Sequence, residues 1–414
     1  MQHVNLCIIG GGAAGLSAAI AAAERGACVL ILEHKDRIGK KLLSTGNGRC
    51  NYTNAAMSEH CFRGSGAALA GALIRKYPTE WVLSFFERIG IEPVSREGYY
   101  YPASGQASAV LDALRQECAW LGVRIETEAQ VEQIAHQPDG YLVSWNGNGK
   151  SRRLQADTLL LATGSCAAPV TGSDGSGYEL AKQLGHTVSA LYPALTSLKS
   201  SAPFCKNWAG VRVKGSIRLL VEGTEVTSDA GELQLTDYGI SGIPVFQVSR
   251  DAAKALGEKK AVQAVLNFWP ERYREDVFGC LQEHVAHLPG RTPYQCLTGL
   301  LPGKLAEVLL RGCRIDPDRK EALIETEVQK LAELGAAFSL RIIGTGTFAQ
   351  AQVCAGGIPM EELCPGSTMS RLHDGLYFAG EILDVDGICG GYNLHFAWAS
   401  GYESGVQAAE QTGR

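Results

Sequence analysis

The chain has 414 residues, 45% of them hydrophobic and 20% charged, with a formal net charge of −5. This is a globular composition too long for one ordinary core, so two or three domains are expected, and the acidic balance gives no global attraction to nucleic acid or acidic lipid. Thirteen cysteines with no C-x-x-C pair or zinc spacing predict no metal site, and a core strand under way by residue 4 leaves no room for a signal peptide, which predicts a reducing cytoplasm.

Residues 6–20 read as a buried strand, a glycine turn and an alanine-rich helix. Gly10, Gly12 and Gly15 make G-x-G-x-x-G, and each has its own task. Gly10 forms the turn, Gly12 lets a pyrophosphate reach the backbone, and Gly15 lets helix and strand pack closely. With Ala13 and Ala14 they open a helix whose free N–H groups and dipole favour negative charge. The next strand, residues 27–32, ends at Glu33, placed to accept ribose hydroxyls. A carboxylate there repels a ribose 2′-phosphate, which leaves FAD or NAD. The small-apolar run over residues 10–23 is too short to cross a bilayer, so no membrane association is expected.

Residues 34–54 read as an ordered loop. Gly46, Asn47 and Gly48 suit positive φ, and Lys40, Lys41 and Arg49 could face phosphate or an anionic flavin. Residues 67–90 are predicted helical with a break near Pro78, 98–102 an aromatic turn, and 107–121 a helix. Strands follow at 123–127 and 129–134, then a hairpin of 141–145 with 152–155, then a buried strand from 156 that stops at Gly164. From about residue 191 the texture changes. Segments 211–221 and 231–235 alternate as antiparallel strands do, 261–268 adds another, and 271–334 turns helical. Strand texture returns at 338–343 and 351–354.

The last segment resembles the first in kind. Residues 376–381 form a strand ending at Gly380 and Glu381, and a glycine loop through Gly391, Tyr392 and Asn393 feeds a helix over 394–409. A second helix start near the other end of the chain favours FAD over NAD, because an extended flavin dinucleotide uses both. A helix N-terminus at the N1/C2=O edge of a flavin stabilises the charge that gathers there on reduction.

These stretches resemble the BaiN/RdsA-like (YhiN-type) family of FAD-dependent oxidoreductases, which includes proteins called aminoacetone oxidases. The resemblance rests on IIGGGAAGLSAA (8–19), GKKLLSTGNGRCNYTN (39–54), LLATGS (160–165), GSDGSGY (172–178), DYGISG (237–242) and LYFAGEILDVDGICGGYNLHFAWASG (376–401). It implies an α/β architecture. A Rossmann-type, glutathione-reductase-like FAD-binding domain (1–190 with 355–414) is interrupted by a β-barrel-like insertion (191–270 with 335–354) and a helical subdomain (271–334). It also implies FAD contacts at Gly12, Ala13, Ala14, Gly15, Glu33, His34, Lys41, Gly46, Asn47, the Val131 backbone, Thr163, Gly164, Glu381, Gly391, Tyr392 and Asn393. Asp237 stands where members of the family often carry His, and Ser241-Gly242-Ile243-Pro244 where they carry Ser-Gly-Pro, so the substrate does not transfer with the resemblance.

Three functions are expected to compete. The first is a reductase taking hydride from NAD(P)H to a polarised C=C bond, either a steroid enone or a uracil-type ring. The second is a flavin oxidase of a small amine such as aminoacetone. The third is a ribosomal RNA uridine-modifying enzyme, for which Lys206, Arg212, Lys214 and Arg218 in the insertion are the candidate contacts. Arg212, Lys214 and Arg218 fall on one strand face, a pattern more usual for a solvated surface. The proton donor is sought among Tyr238, Cys354, His395 and Arg49. Cys354 reads equally well as a packed thiol, and a helical histidine is more often structural. The absence of paired cysteines beside the flavin motifs argues against a disulfide reductase. The partner is a small molecule or ribosomal RNA, and the oligomeric state is left open.

Overall fold

The structure, a computed structural model, describes residues 2–412 apart from Asn148 and Arg274. Two compact units are present: residues 1–191 with 352–414, and residues 192–351.

The first unit is built on strands β1 (Gln2–Ile9), β2 (Val29–Leu32), β3 (Arg124–Glu126), β4 (Ala129–Gln137), β5 (Gly140–Gly147), β6 (Lys150–Leu161) and β7 (Leu376–Phe378). They lie in the order β3-β2-β1-β6-β5-β4, with β7 paired to β6. Neighbours among β3, β2, β1, β6 and β7 are parallel, whereas β4, β5 and the first half of β6 form an antiparallel meander. β6 is therefore one long strand, where the sequence reads a hairpin arm followed by a separate buried strand. Its first half pairs with β5 and its second with β7, and this change of partner hides its continuity in the pattern.

Helix α1 (Ala13–Ala23) is buried nearly throughout, as its alanines and glycine allow. It packs on α2 (Tyr392–Thr412), the helix that ends the described chain. A Cβ on Gly401 would stand 2.2 Å from the Ala14 carbonyl oxygen, and one on Gly405 2.2 Å from that of Ala18. Small residues thus let the two backbones touch. Ser17 Oγ donates to the Trp398 carbonyl at 2.8 Å and locks the crossing. Residues 99–102, expected as a turn, are a strand (Tyr99–Pro102) between Thr53–Asn54 and Pro93–Arg96.

In the second unit an antiparallel sheet runs in the order 338–342, 262–267, 212–221, 224–236, 239–241, 198–199, 344–345. Its two outermost strands are neighbours in the chain, divided by Ile343 alone. A helix, Ile243–Gly257, lies on this sheet in a segment whose texture reads as β-rich. The helices Val277–Ala286, Gly303–Gly312 and Glu325–Ala336 share a core with the strands, Leu309 and Leu331 packing in one cluster with Leu266 and Phe338. Among the described residues no helix is long and apolar enough to cross a membrane, and no cluster of His, Cys, Asp and Glu could hold a metal.

Candidate functional site

Strand order decides where a ligand can sit. The chain leaves β1 toward β2 and β3, then returns to the opposite side of β1 as β6 and β7. The order reverses between β1 and β6, and such a switch point opens a crevice beyond the carboxyl ends of the strands. Gly10 follows β1, Glu33 follows β2, Thr163 and Gly164 follow β6, and Gly380 and Glu381 follow β7. Residues scattered over nearly the whole sequence therefore reach one edge.

At the first glycine turn the three glycines stand in different surroundings. Gly10 has φ +107°, and a Cβ there would lie 2.4 Å from the Ala162 carbonyl oxygen. A Cβ on Gly15 would lie 2.0 Å from the Gly10 carbonyl oxygen, whereas Gly12 faces open space. That space lies over the N-terminus of α1, where the first-turn N–H groups have no partner inside the helix. Glu33 is buried, and its carboxylate accepts from the backbone N–H of Gly11 and of Lys35, each at 2.9 Å. His34 stands between Glu33 and Asp174, 3.3 Å from a carboxylate oxygen of each. Val131 lies on β4, where the register with β5 shifts between Val131 and Gln133. A bulge of this kind withdraws backbone groups from the ladder.

The loop after β6 is braced by the glycine-rich stretch that follows it. Ser165 N–H donates to Ser173 Oγ at 2.9 Å, and a Cβ on Gly177 would strike Thr163 Oγ1 at 1.8 Å. At the other end Lys41 Nζ meets Glu381 Oε2 at 2.5 Å, a contact spanning 340 residues. Gly46 and Asn47, on the exposed loop beyond Lys41, both adopt positive φ. Gly391 (φ +92°) is pressed against residues 51–53, with a Cβ position 2.9 Å from Asn51 Oδ1 and from the Thr53 carbonyl oxygen. Tyr392 opens α2. The Asn393 side chain is occupied with the Gly387 backbone.

Two buried oxygens at this end, Glu381 Oε1 and Asn51 Oδ1, have no hydrogen-bond partner. A buried acceptor left bare costs about 1–3 kcal/mol. Hydroxyl donors are what both oxygens lack, and a ribityl chain carries such donors, so the residues present fit FAD. Asn51 lies inside the 39–54 motif but is not singled out by sequence, because its bare oxygen and its place beside Gly391 arise only on folding.

The four proton-donor candidates separate. Tyr238 belongs to the second unit, at the turn before strand Gly239–Ser241, and is 43% exposed. Arg49 is exposed at the rim of its loop and acts electrostatically on Tyr101, whose phenol burial pushes up. His395 is fully buried. Its Nε2 donates to the Tyr77 carbonyl at 2.8 Å, so Nδ1 accepts from Thr53 Oγ1 at 2.7 Å. This is the geometry of a strut that fixes residues 51–53 against Gly391, and it leaves no proton to deliver.

Burial lowers the His395 pKa from 6.5 to about 4. Below its ordinary value the unfolded imidazole takes a proton that the folded one refuses, so stability falls as pH drops from 6.5 toward 4. The loss at this residue is about 3 kcal/mol. Chemical denaturation across that range should show His395→Gln losing correspondingly less stability than the parent; parallel curves would contradict the assignment.

Cys354, on strand Val353–Ala355, is buried with its sulfur 3.7 Å from that of the half-buried Cys166. The expectation of no paired cysteines beside the flavin motifs is therefore corrected. The partners lie 188 residues apart, so no local spacing reveals them.

A family model described as "HI0933-like protein Rossmann domain" matches residues 4–407. The chain is 43% identical, over 98% of its length and 98% of the relative's, to a 3-dehydro-bile acid delta(4,6)-reductase of Clostridium scindens. It is 26% identical to a ribosomal RNA dihydrouridine synthase of Haemophilus influenzae, covering 99% of this chain and 100% of that protein. Among solved structures it is similar in fold to a 3-ketosteroid-delta4-(5alpha)-dehydrogenase of Rhodococcus jostii RHA1, with TM-score 0.51, 16% identity and coverage of 99% of this chain and 97% of that one. A flavocytochrome c3 fumarate reductase gives TM-score 0.53 at 16% identity, covering 99% and 79%.

Proposed function

The chain belongs to the HI0933-like family of FAD-dependent Rossmann oxidoreductases, and from that premise we propose that it is a NAD(P)H-driven reductase of a polarised C=C bond in a steroid enone of bile-acid type. The observation that carries this reading is the 43% identity, end to end, with a reductase named for that substrate, against 26% with a ribosomal RNA enzyme. Bound FAD supplies two-electron hydride chemistry.

The chain's own residues bind and orient it. The N-terminus of α1 would take the pyrophosphate, and Glu33 the adenosine ribose. Glu381, held by Lys41, and Asn51 would accept from the ribityl chain. The α2 N-terminus, at Tyr392 and Asn393, would hold the flavin end and favour the negative charge that reduction places there. We read residues 192–351 as the substrate-side insertion, with residues 338–345 bending to close its sheet into a barrel.

The RNA reading is disfavoured by charge. Arg212 and Arg218 lie near Glu232 and Glu225, at 3.1 and 3.4 Å, which offsets the positive stripe a phosphate backbone needs. Arg212→Glu is accordingly expected to leave binding to ribosomal RNA fragments in low salt unchanged; a marked loss of salt-sensitive binding would restore the RNA reading.

Anaerobic stopped mixing tests the main assignment. NADH or NADPH should bleach the flavin, and a 3-oxo steroid with a conjugated C=C bond should restore its colour. Bleaching by aminoacetone instead, with peroxide on re-aeration, would make the protein an oxidase.

A further inference from the structure

We propose that Cys166 and Cys354 form a redox-active pair, a modification site at which hydrogen peroxide closes a reversible disulfide beside the residues assigned to the flavin. The geometry begins with a sulfur–sulfur distance of 3.7 Å, which must shorten by about 1.7 Å to reach a disulfide. The two partners differ in freedom. Cys354 is buried within strand Val353–Ala355, where its sulfur also approaches the Ala355 carbonyl oxygen at 3.4 Å. Cys166 is half-buried on the irregular loop after β6, next to Ser165 and two residues beyond Gly164. Ser165 beside it is braced by Ser173, so closure falls to rotation of the Cys166 side chain toward Cys354.

Their chemical roles differ as well. The Cys166 thiol is held below its ordinary pKa by the hydrogen bond with Cys354, with a further contribution from the Lys41 charge. Thiolate character and access make Cys166 the attacking sulfur. Its thiolate attacks one peroxide oxygen, the O–O bond breaks, and water leaves after protonation, giving a sulfenic acid. Cys354 then attacks the Cys166 sulfur and displaces hydroxide, which leaves as a second water with the Cys354 proton. Two thiols thus give up two electrons and two protons, and one peroxide becomes two waters. Cys28, a free and exposed thiol, serves as the internal control.

The test uses the full chain. Native protein is treated with hydrogen peroxide, its remaining thiols are alkylated, and it is digested without reduction for mass spectrometry. We expect one cross-linked pair carrying Cys166 and Cys354, a loss of two hydrogens and two alkylatable thiols per chain, and full reversal by dithiothreitol. In C354S the Cys166 sulfenic acid should persist and be trapped by dimedone, whereas C166S should form no disulfide at Cys354. Oxidation of wild-type Cys166 to sulfinic acid without a cross-link would overturn the proposal, as would oxidation of Cys28 while Cys166 and Cys354 stay reduced. The mass readout needs neither turnover nor bound FAD, so its failure is distinct from failure of the assigned reaction.

Discussion

Alanine at Gly12 is expected to weaken FAD binding by roughly 30–150-fold while leaving thermal stability unchanged, and alanine at Gly15 to damage both. The two positions lie three residues apart on the same turn, yet their surroundings differ. Gly12 has φ −85°, which alanine adopts, and no protein atom stands within 4 Å of where its Cβ would be. The added methyl points into the space read as the pyrophosphate site, and overpacking of that kind costs about 2–3 kcal/mol, the binding loss just given. At Gly15 the methyl would stand 2.0 Å from the Gly10 carbonyl oxygen. Helix α1 would have to lift off β1, at a cost of about 3 kcal/mol or more, which is roughly 6–12 °C in Tm. Scanning calorimetry and a flavin titration on both variants check this. Equal Tm losses in the two would contradict the separate tasks assigned to them.

The second large effect lies at the opposite end of the chain. Glu381→Ala should lower FAD affinity by roughly 10–150-fold, because a carboxylate hydrogen bond contributes about 1.5–3 kcal/mol. The residue is suited to that role since one oxygen is paired with Lys41 and the other is buried and bare. Glu381→Gln keeps an acceptor but gives up the charge facing Lys41, so its loss should be the smaller. Fluorescence quenching on addition of FAD to stripped protein measures both. Retention of wild-type affinity in Glu381→Ala would remove this residue from the cofactor site.

What the sequence could reveal follows from how locally each feature is encoded. The strand, turn and helix over residues 2–23 are determined by neighbours, so the three glycines can be assigned in advance. Helix Ile243–Gly257 was legible in principle. Val245, Val248, Ala252 and Ala255 are buried at helical spacing behind Pro244 in the first turn. The flanking alternating strands lead the eye past it. Tyr99–Pro102 becomes a strand only because Thr53–Asn54 and Pro93–Arg96 supply partners, which composition does not announce.

The site divides the same way. Its glycines and Glu33 are visible as motifs, but Asn51 matters because Gly391 is folded onto it. His395 reads as a possible acid until Thr53 and Tyr77 occupy both ring nitrogens. Cys166 and Cys354 meet across 188 residues. Contacts of that range depend on the parallel order of β1, β6 and β7, which no local pattern contains.

Two helix starts, near opposite ends of this polypeptide, are proposed to grip one flavin dinucleotide. Equilibrium titration of stripped protein with FAD, followed by absorbance and with NAD run alongside, tests this most directly. Saturation at one FAD per chain with a shifted flavin spectrum is expected, and no comparable binding of NAD. Protein that stays colourless with FAD, or that saturates with NAD in its place, would contradict it.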